Sequence, residues 1–269
     1  MKIIHNLSAA KQQGLTMIDL LVGLFLGLLV GTAAISSIVF TRTAQAAQSD
    51  SARLQQQASI VMRLIGLQLK QAGAVELVNS IDGKVVFDNQ FKGVNETQDI
   101  YVSGTDGGGN APDTLNVSAQ DQQGEIFAGQ PVTSVVRDCL GYAASKPGIT
   151  MQSSFSVNTA QNSLTCVGSS AGGGAQAIAI GVENFQVRYG VATGGAGTAQ
   201  QIQYLNTVPN FATAAIRSVQ VCLVLSGEQV NTSGTGVAVV DCNNNAVAAD
   251  GRIRRVFTNT FYLRNSPTA

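Results

Sequence analysis

From Leu20 to Phe40 the chain runs for 21 residues without a charged side chain, between Asp19 and Arg42. As an α-helix rising about 1.5 Å per residue, this run spans roughly 30 Å, the thickness of a bilayer's hydrocarbon core. A helix also satisfies its own backbone polar groups, as an apolar solvent requires. The flanks are equally informative. Before the run stand a Gln-rich leader with Lys2 and Lys11, a glycine at position 14, and Asp19 five residues past that glycine. A secretory signal has a shorter apolar core, about 7–15 residues. Ala44-Gln45-Ala46 resembles a small-residue cleavage site, but helical patterning continues beyond it.

Past Phe40 the apolar residues retreat to one stripe. Leu54, Ala58, Val61, Ile65, Leu69 and Ala72 recur at steps of four and three, with Ile60, Leu64 and Leu67 read as widening it and Arg63 and Lys70 opposite. Gly73 is the expected stop. The pattern predicts one helix from about Leu15 to Ala72. Its first half is surrounded by lipid or other helices, and its second lies against a folded head. Gly66 costs about 1 kcal/mol relative to alanine inside a helix, so its presence points to close packing there. Gly23, Gly27 and Gly31 repeat every four residues, the spacing of small residues at helix–helix contacts.

From Ala74 the period shifts to two. Strands are expected at Lys84–Phe87, Asp99–Ser103, Thr114–Ser118, Pro131–Val136, Asn184–Val191, Ser218–Ser226 and Arg252–Arg264. Between them lie Gly-, Ser- and Asn-rich connections at Gly104–Asn110, Gly168–Gly174, Thr193–Gln201 and Asn231–Gly236. The expected fold is α+β, a long N-terminal helix whose amphipathic half covers an antiparallel sheet. The organisation follows: a leader at 1–14, the helix at 15–73 and a β-rich head at 74–269.

Composition narrows the chemistry. Only 12% of residues are charged and the net charge is +0, so no basic field marks nucleic acid as the main partner. The single histidine, His5, lies in the leader. Histidine-ligated metals and histidine acid–base catalysis are disfavoured, no nucleophile motif is present, and neither enzyme nor cofactor is expected. Gly107-Gly108-Gly109 and Gly172-Gly173-Gly174 lack the Gly-Lys-Ser/Thr of a phosphate loop. Asp241, Asn243 and Asn245 match the start of a calcium loop, but Ala246 and Arg252 occupy the glycine and glutamate positions, so a turn is expected. Four cysteines, Cys139, Cys166, Cys222 and Cys242, follow the apolar segment without a C-x-x-C pair. In an exported chain they form two disulfides. Of three possible pairings the sequence-adjacent one is expected, Cys139–Cys166 with Cys222–Cys242, each bridge contributing about 3 kcal/mol.

Gly14-Leu15-Thr16-Met17-Ile18-Asp19, after a short basic leader and before an apolar helix, resembles the type IV prepilin signal. The resemblance implies that a membrane prepilin peptidase cuts after Gly14 and N-methylates Leu15. It also implies that Asp19 is the assembly carboxylate, paired with the amine of a neighbouring subunit. The family usually has phenylalanine and glutamate where this chain has Leu15 and Asp19. Ala52-Arg53-Leu54-Gln55-Gln56, Leu69-Lys70-Gln71-Ala72-Gly73, Asp138-Cys139-Leu140-Gly141, Val182–Val191, Arg254-Arg255-Val256-Phe257 and Leu263-Arg264-Asn265 are similar to PilW-type minor pilins and keep family order. That resemblance implies a structural subunit that primes pilus assembly near the tip. Its partners would be other minor pilins, the major pilin and the inner-membrane assembly platform. Its places would be the inner membrane, with the head in the periplasm, and then the pilus. Two alternatives share the pattern: a J-type pseudopilin of type II secretion, and a tip adhesin or DNA-contacting module using Arg252, Arg254 and Arg255.

Overall fold

The computed structural model describes residues 14, 16–75, 77–79, 85–87, 101–121, 136–144, 149–169, 174–193, 201–208, 216–230 and 239–265. Helix α1, Met17–Gln71, runs 55 residues. The chain divides into two compact units, Met1–Gln48 and Ser49–Ala269. In the first, every large apolar side chain from Leu20 to Phe40 is exposed. Hydroxyl groups in this stretch are satisfied within the helix. Thr32 donates to the Leu29 carbonyl at 3.0 Å, Ser36 to Ala33 at 2.9 Å and Thr41 to Ser37 at 2.8 Å.

The second unit holds the rest of α1 and the strands. β1 (Leu77–Asn79) and β2 (Val85–Phe87) form a short hairpin. β3 (Val102–Ser103), β4 (Leu115–Gln120), β5 (Thr150–Asn158), β6 (Ser163–Gly168) and β7 (Gln176–Ile180) form an antiparallel sheet in sequence order. β8 (Val182–Thr193), β9 (Gln201–Leu205), β10 (Ile216–Val230) and β13 (Arg252–Tyr262) form a second, ordered β13-β10-β8-β9. β11 (Val239–Val240) and β12 (Ala246–Val247) make a small hairpin.

Register explains the second sheet. Val219 sits opposite both Tyr189 and Phe261, and Leu223 opposite both Phe185 and Phe257. Large residues on one face thus meet across three strands, where side-chain pairs stabilise a sheet. They share one core with Leu54, Ala58, Val61, Ile65, Leu69 and Ala72, the stripe read from the sequence. Ile60 and Leu67 are corrections: they are 54% and 53% exposed, while Leu64 is only partly buried. At about 100° per residue they fall nearly opposite the stripe, and burial spreads the other way, to Met62 and Gly66.

The helix ends at Gly73, whose φ of 71° is the left-handed stop that glycine adopts without strain. Its N–H donates to the Ser118 carbonyl at 3.0 Å, and Asn265 donates to the Ala72 carbonyl at 3.0 Å. Two polar residues, the buried Gln68 and the partly exposed Gln71, tie this end to the head. The Gln68 amide oxygen accepts from the Ser153 hydroxyl at 2.9 Å, and Ser153 in turn accepts from the Cys139 N–H at 2.9 Å. Gln71 donates to the Arg137 carbonyl at 2.6 Å.

β1, β5, β6, β7, β9, β11 and β12 have no counterpart among the strands expected from the sequence. The strand expected at Pro131–Val136 lies outside the described residues up to 135, and Val136 stands outside any strand. The other expected strands that can be described fall within β2, β3, β4, β8, β10 and β13, with shifted ends. Gly104–Asn110 is a connection, but a pinned one. The buried Asp113 carboxylate accepts from the Gly107 N–H at 2.9 Å and the Val187 N–H at 2.8 Å, fastening the loop to β8.

Candidate functional site

Thr16 and Asp19 build the start of α1. Asp19 Oδ2 accepts from the Thr16 N–H at 3.0 Å and its hydroxyl at 2.8 Å, and the Asp19 N–H donates back to Thr16 Oγ1 at 3.3 Å. This is a reciprocal capping box, which satisfies donors that a helix start otherwise leaves orphaned. The spacing Thr16-x-x-Asp19 is the sequence signature of such a box. Gly14 is exposed, while Leu15 lies outside the described residues. A Cβ built on Gly23, Gly27 or Gly31 meets nothing within 4 Å, so the glycine stripe lies open along the apolar helix. α1 is long and apolar enough, by length and composition, to cross a membrane.

In the second unit, the helix is latched to β10. The buried Asp50 carboxylate accepts from the Gln229 N–H at 3.0 Å, and Arg53 pairs with Glu228 at 2.5 Å. That hydrogen bond holds the Glu228 carboxyl below its usual range. Both side chains are well exposed and screened by solvent, so the pair adds little to stability.

Of the arginines proposed for nucleic acid, Arg254 is fully engaged. Arg254 meets Glu183 through Nε at 2.6 Å and Nη2 at 3.0 Å, and meets Asp250 through Nη1 at 2.7 Å and Nη2 at 2.8 Å. Arg252 stands 3.8 Å from Asp250. Two-oxygen contacts of this kind are the strong form of the pair. They hold Asp250 at about 2, mainly through the Arg254 hydrogen bonds. The stabilisation is therefore present above the ordinary value of 3.8 and is lost as pH falls toward 2. Asp113 has the opposite sign. Burial raises it, against the bonds from Val187 and Gly107, so its cost to the fold shrinks on acidification. Urea midpoints of the wild type should fall between pH 4 and 2, and Asp250→Asn should flatten that limb. An unchanged slope in the variant would assign acid sensitivity elsewhere.

The disulfides join Cys139 to Cys166 and Cys222 to Cys242, with Cα separations of 6.4 and 5.8 Å. Each links a turn to a strand, and the two turns are built alike. Asp138 Oδ1 accepts from the N–H groups of Leu140 at 3.0 Å and Tyr142 at 2.9 Å. Asp241 Oδ1 accepts from Asn243 at 2.8 Å and Asn245 at 2.9 Å. In both, the third residue after the aspartate donates to its carbonyl, and that residue has positive φ: Gly141 at 85° and Asn244 at 62°. The calcium-like spacing is thus an Asp-Cys turn, its carboxylate aimed at backbone donors. The Gly107 and Gly108 amides are likewise engaged by Asp113 and Asp106 carboxylates, so this triplet is no phosphate cradle.

The described residues thus combine an exposed apolar helix, antiparallel sheets and two disulfides. Residues 152–265 match the family model described as Type IV Pilus-assembly protein W (PilW). The resemblance to PilW-type pilins therefore holds over this stretch of the head. The match includes the Val182–Val191, Arg254–Phe257 and Leu263–Asn265 motifs. A type IV-like pilin from Thermus thermophilus aligns with a TM-score of 0.44 and 16% identity, over 79% of this chain and 98% of its own. No curated protein matches.

Proposed function

We propose that this chain is a minor pilin that primes assembly of a type IV pilus and sits at or near its tip. The carrying observation is the bare apolar half of α1, continuous with a second half built into the core of the head. Such a subunit rests in the inner membrane with its head in the periplasm, the basic leader keeping the N-terminus cytoplasmic. A prepilin peptidase cuts after Gly14 and methylates Leu15. The assembly platform then moves α1 from lipid into a bundle with other minor pilins and the major pilin. Lipid and helix faces are equally apolar, so the exchange has little net hydrophobic cost. Small terms, including close approach at Gly23, Gly27 and Gly31 and a charge pair at Asp19, then set the register. Arg254's ion pairs weigh against the DNA-contacting reading of the head.

N-terminal mass spectrometry of sheared pili tests this reading. The expected terminus is methylated Leu15, present in filaments. Gly14→Leu should leave residues 1–14 attached and abolish piliation. Normal pili built from the unprocessed variant would overturn the proposal. A deletion that stops secretion and spares pili would favour the pseudopilin instead.

A further inference from the structure

The two disulfides differ in access. Cys139 and Cys166 are 5% and 0% exposed and belong to the main core. Cys222 is 9% exposed and Cys242 partly exposed, and both border an open groove of about 420 Å³. A disulfide that borders an open groove admits an approaching thiolate, whereas a buried bridge is inert.

We propose that Cys222–Cys242 is a thiol-exchange site, open to a dithiol reductant in the folded protein, while Cys139–Cys166 stays sealed. One thiolate of the reductant attacks Sγ of Cys242, the more exposed residue of the pair. The bond to Cys222 breaks and its electron pair leaves on Cys222 Sγ. The second thiolate then attacks the reductant's own sulfur in the mixed disulfide and frees Cys242. The reductant ends as a disulfide, and the bridge ends as two thiols after taking two protons from solvent.

Exchange has a local consequence. Cys242 lies in the turn whose Asn243 donates to the Gly109 carbonyl at 2.8 Å and whose Asn245 donates to Asn110 Oδ1 at 2.7 Å. Freed from β10, that turn loses its hold on Gly109 and Asn110. The Asp113 anchors and the bond from Gln186 to the Ala111 carbonyl stay in place. Reduction therefore loosens the tip of one surface loop and leaves the core closed.

The test uses the full chain in detergent micelles, dithiothreitol as probe, and timed alkylation read by peptide mass spectrometry. Cys222 and Cys242 should become alkylated at least about tenfold faster than Cys139 and Cys166. Amide exchange over 107–111 should rise in the singly reduced protein, with no change over Leu54–Ala72. Equal rates at the two bridges, or unchanged amide exchange over 107–111 after reduction, would overturn the proposal. So would loss of both bridges only on global unfolding.

Discussion

Gly66→Val is expected to destabilise the head by about 3 kcal/mol, a large share of the stability of a domain this size. A Cβ on Gly66 would lie 2.6 Å from Cε1 of Phe261 and 3.1 Å from its Cδ1. Those distances are far inside van der Waals contact, so either the ring or the helix must move. Phe261 stands in an edge strand next to a groove of about 680 Å³, which gives the ring some room. Its Cα partner is Val219, fully buried in the middle of the core, which limits how far the strand follows. For alanine two effects compete. Helix propensity gains about 1 kcal/mol and overpacking loses about 1–3, leaving a small net loss. Valine forfeits most of the propensity gain and adds two methyl groups, so overpacking wins. Phe261→Leu in the Gly66→Val background should recover part of the loss. Urea midpoints of the three variants decide the matter, and a Gly66→Ala protein stabilised by the full 1 kcal/mol would show that the ring yields freely.

That contact was half legible. Gly66 stood out because a glycine inside a helix needs a reason, but nothing local named Phe261, which is nearly 200 residues away in sequence. The stripe from Leu54 to Ala72 was readable because one face carries the whole core, and β8, β10 and β13 because one side of each is apolar. β5 hid for a specific reason. Its alternation places Ser153 between Met151 and Phe155 on the buried side, and the burial of that hydroxyl makes sense only with Gln68 and the Cys139 N–H beside it. β6 buries Ser163, Leu164, Thr165 and Cys166 in succession, so it has no period of two to find. In the Asp-Cys turns the useful signal was the residue three past each aspartate, Gly141 and Asn244, both types that tolerate positive φ. Ile60 and Leu67 fall nearly opposite the stripe at about 100° per residue, so their apolar character points to no burial against the head.

Asp19→Asn is expected to abolish filament incorporation while leaving the leader cut, α1 intact and the head as stable as wild type. Two roles meet at this carboxylate, and the amide separates them. An asparagine oxygen still accepts from Thr16, so the cap survives. The charge does not. In the wild type the hydrogen bonds to Thr16 converge on Oδ2, and Oδ1 has no partner among the described residues, so it is available to an amine. A carboxylate within a membrane helix costs about 2.5–3.5 kcal/mol on insertion scales, falling near the interface. In the proposed reading, pairing with the Leu15 amine of a neighbouring subunit offsets that cost only in the filament and biases the subunit toward assembly. Asp19→Ala should lose both cap and charge, with a helix start weakened by about 1 kcal/mol as well. Asp19→Glu keeps the charge, extends its reach by one methylene and completes the Thr-x-x-Glu form of the box, so it should assemble at least as well as wild type. The readout is the ratio of subunit in sheared pili to subunit in the membrane, compared across the three variants. Normal incorporation of Asp19→Asn would reduce Asp19 to a helix cap and leave register to the contacts at Gly23, Gly27 and Gly31.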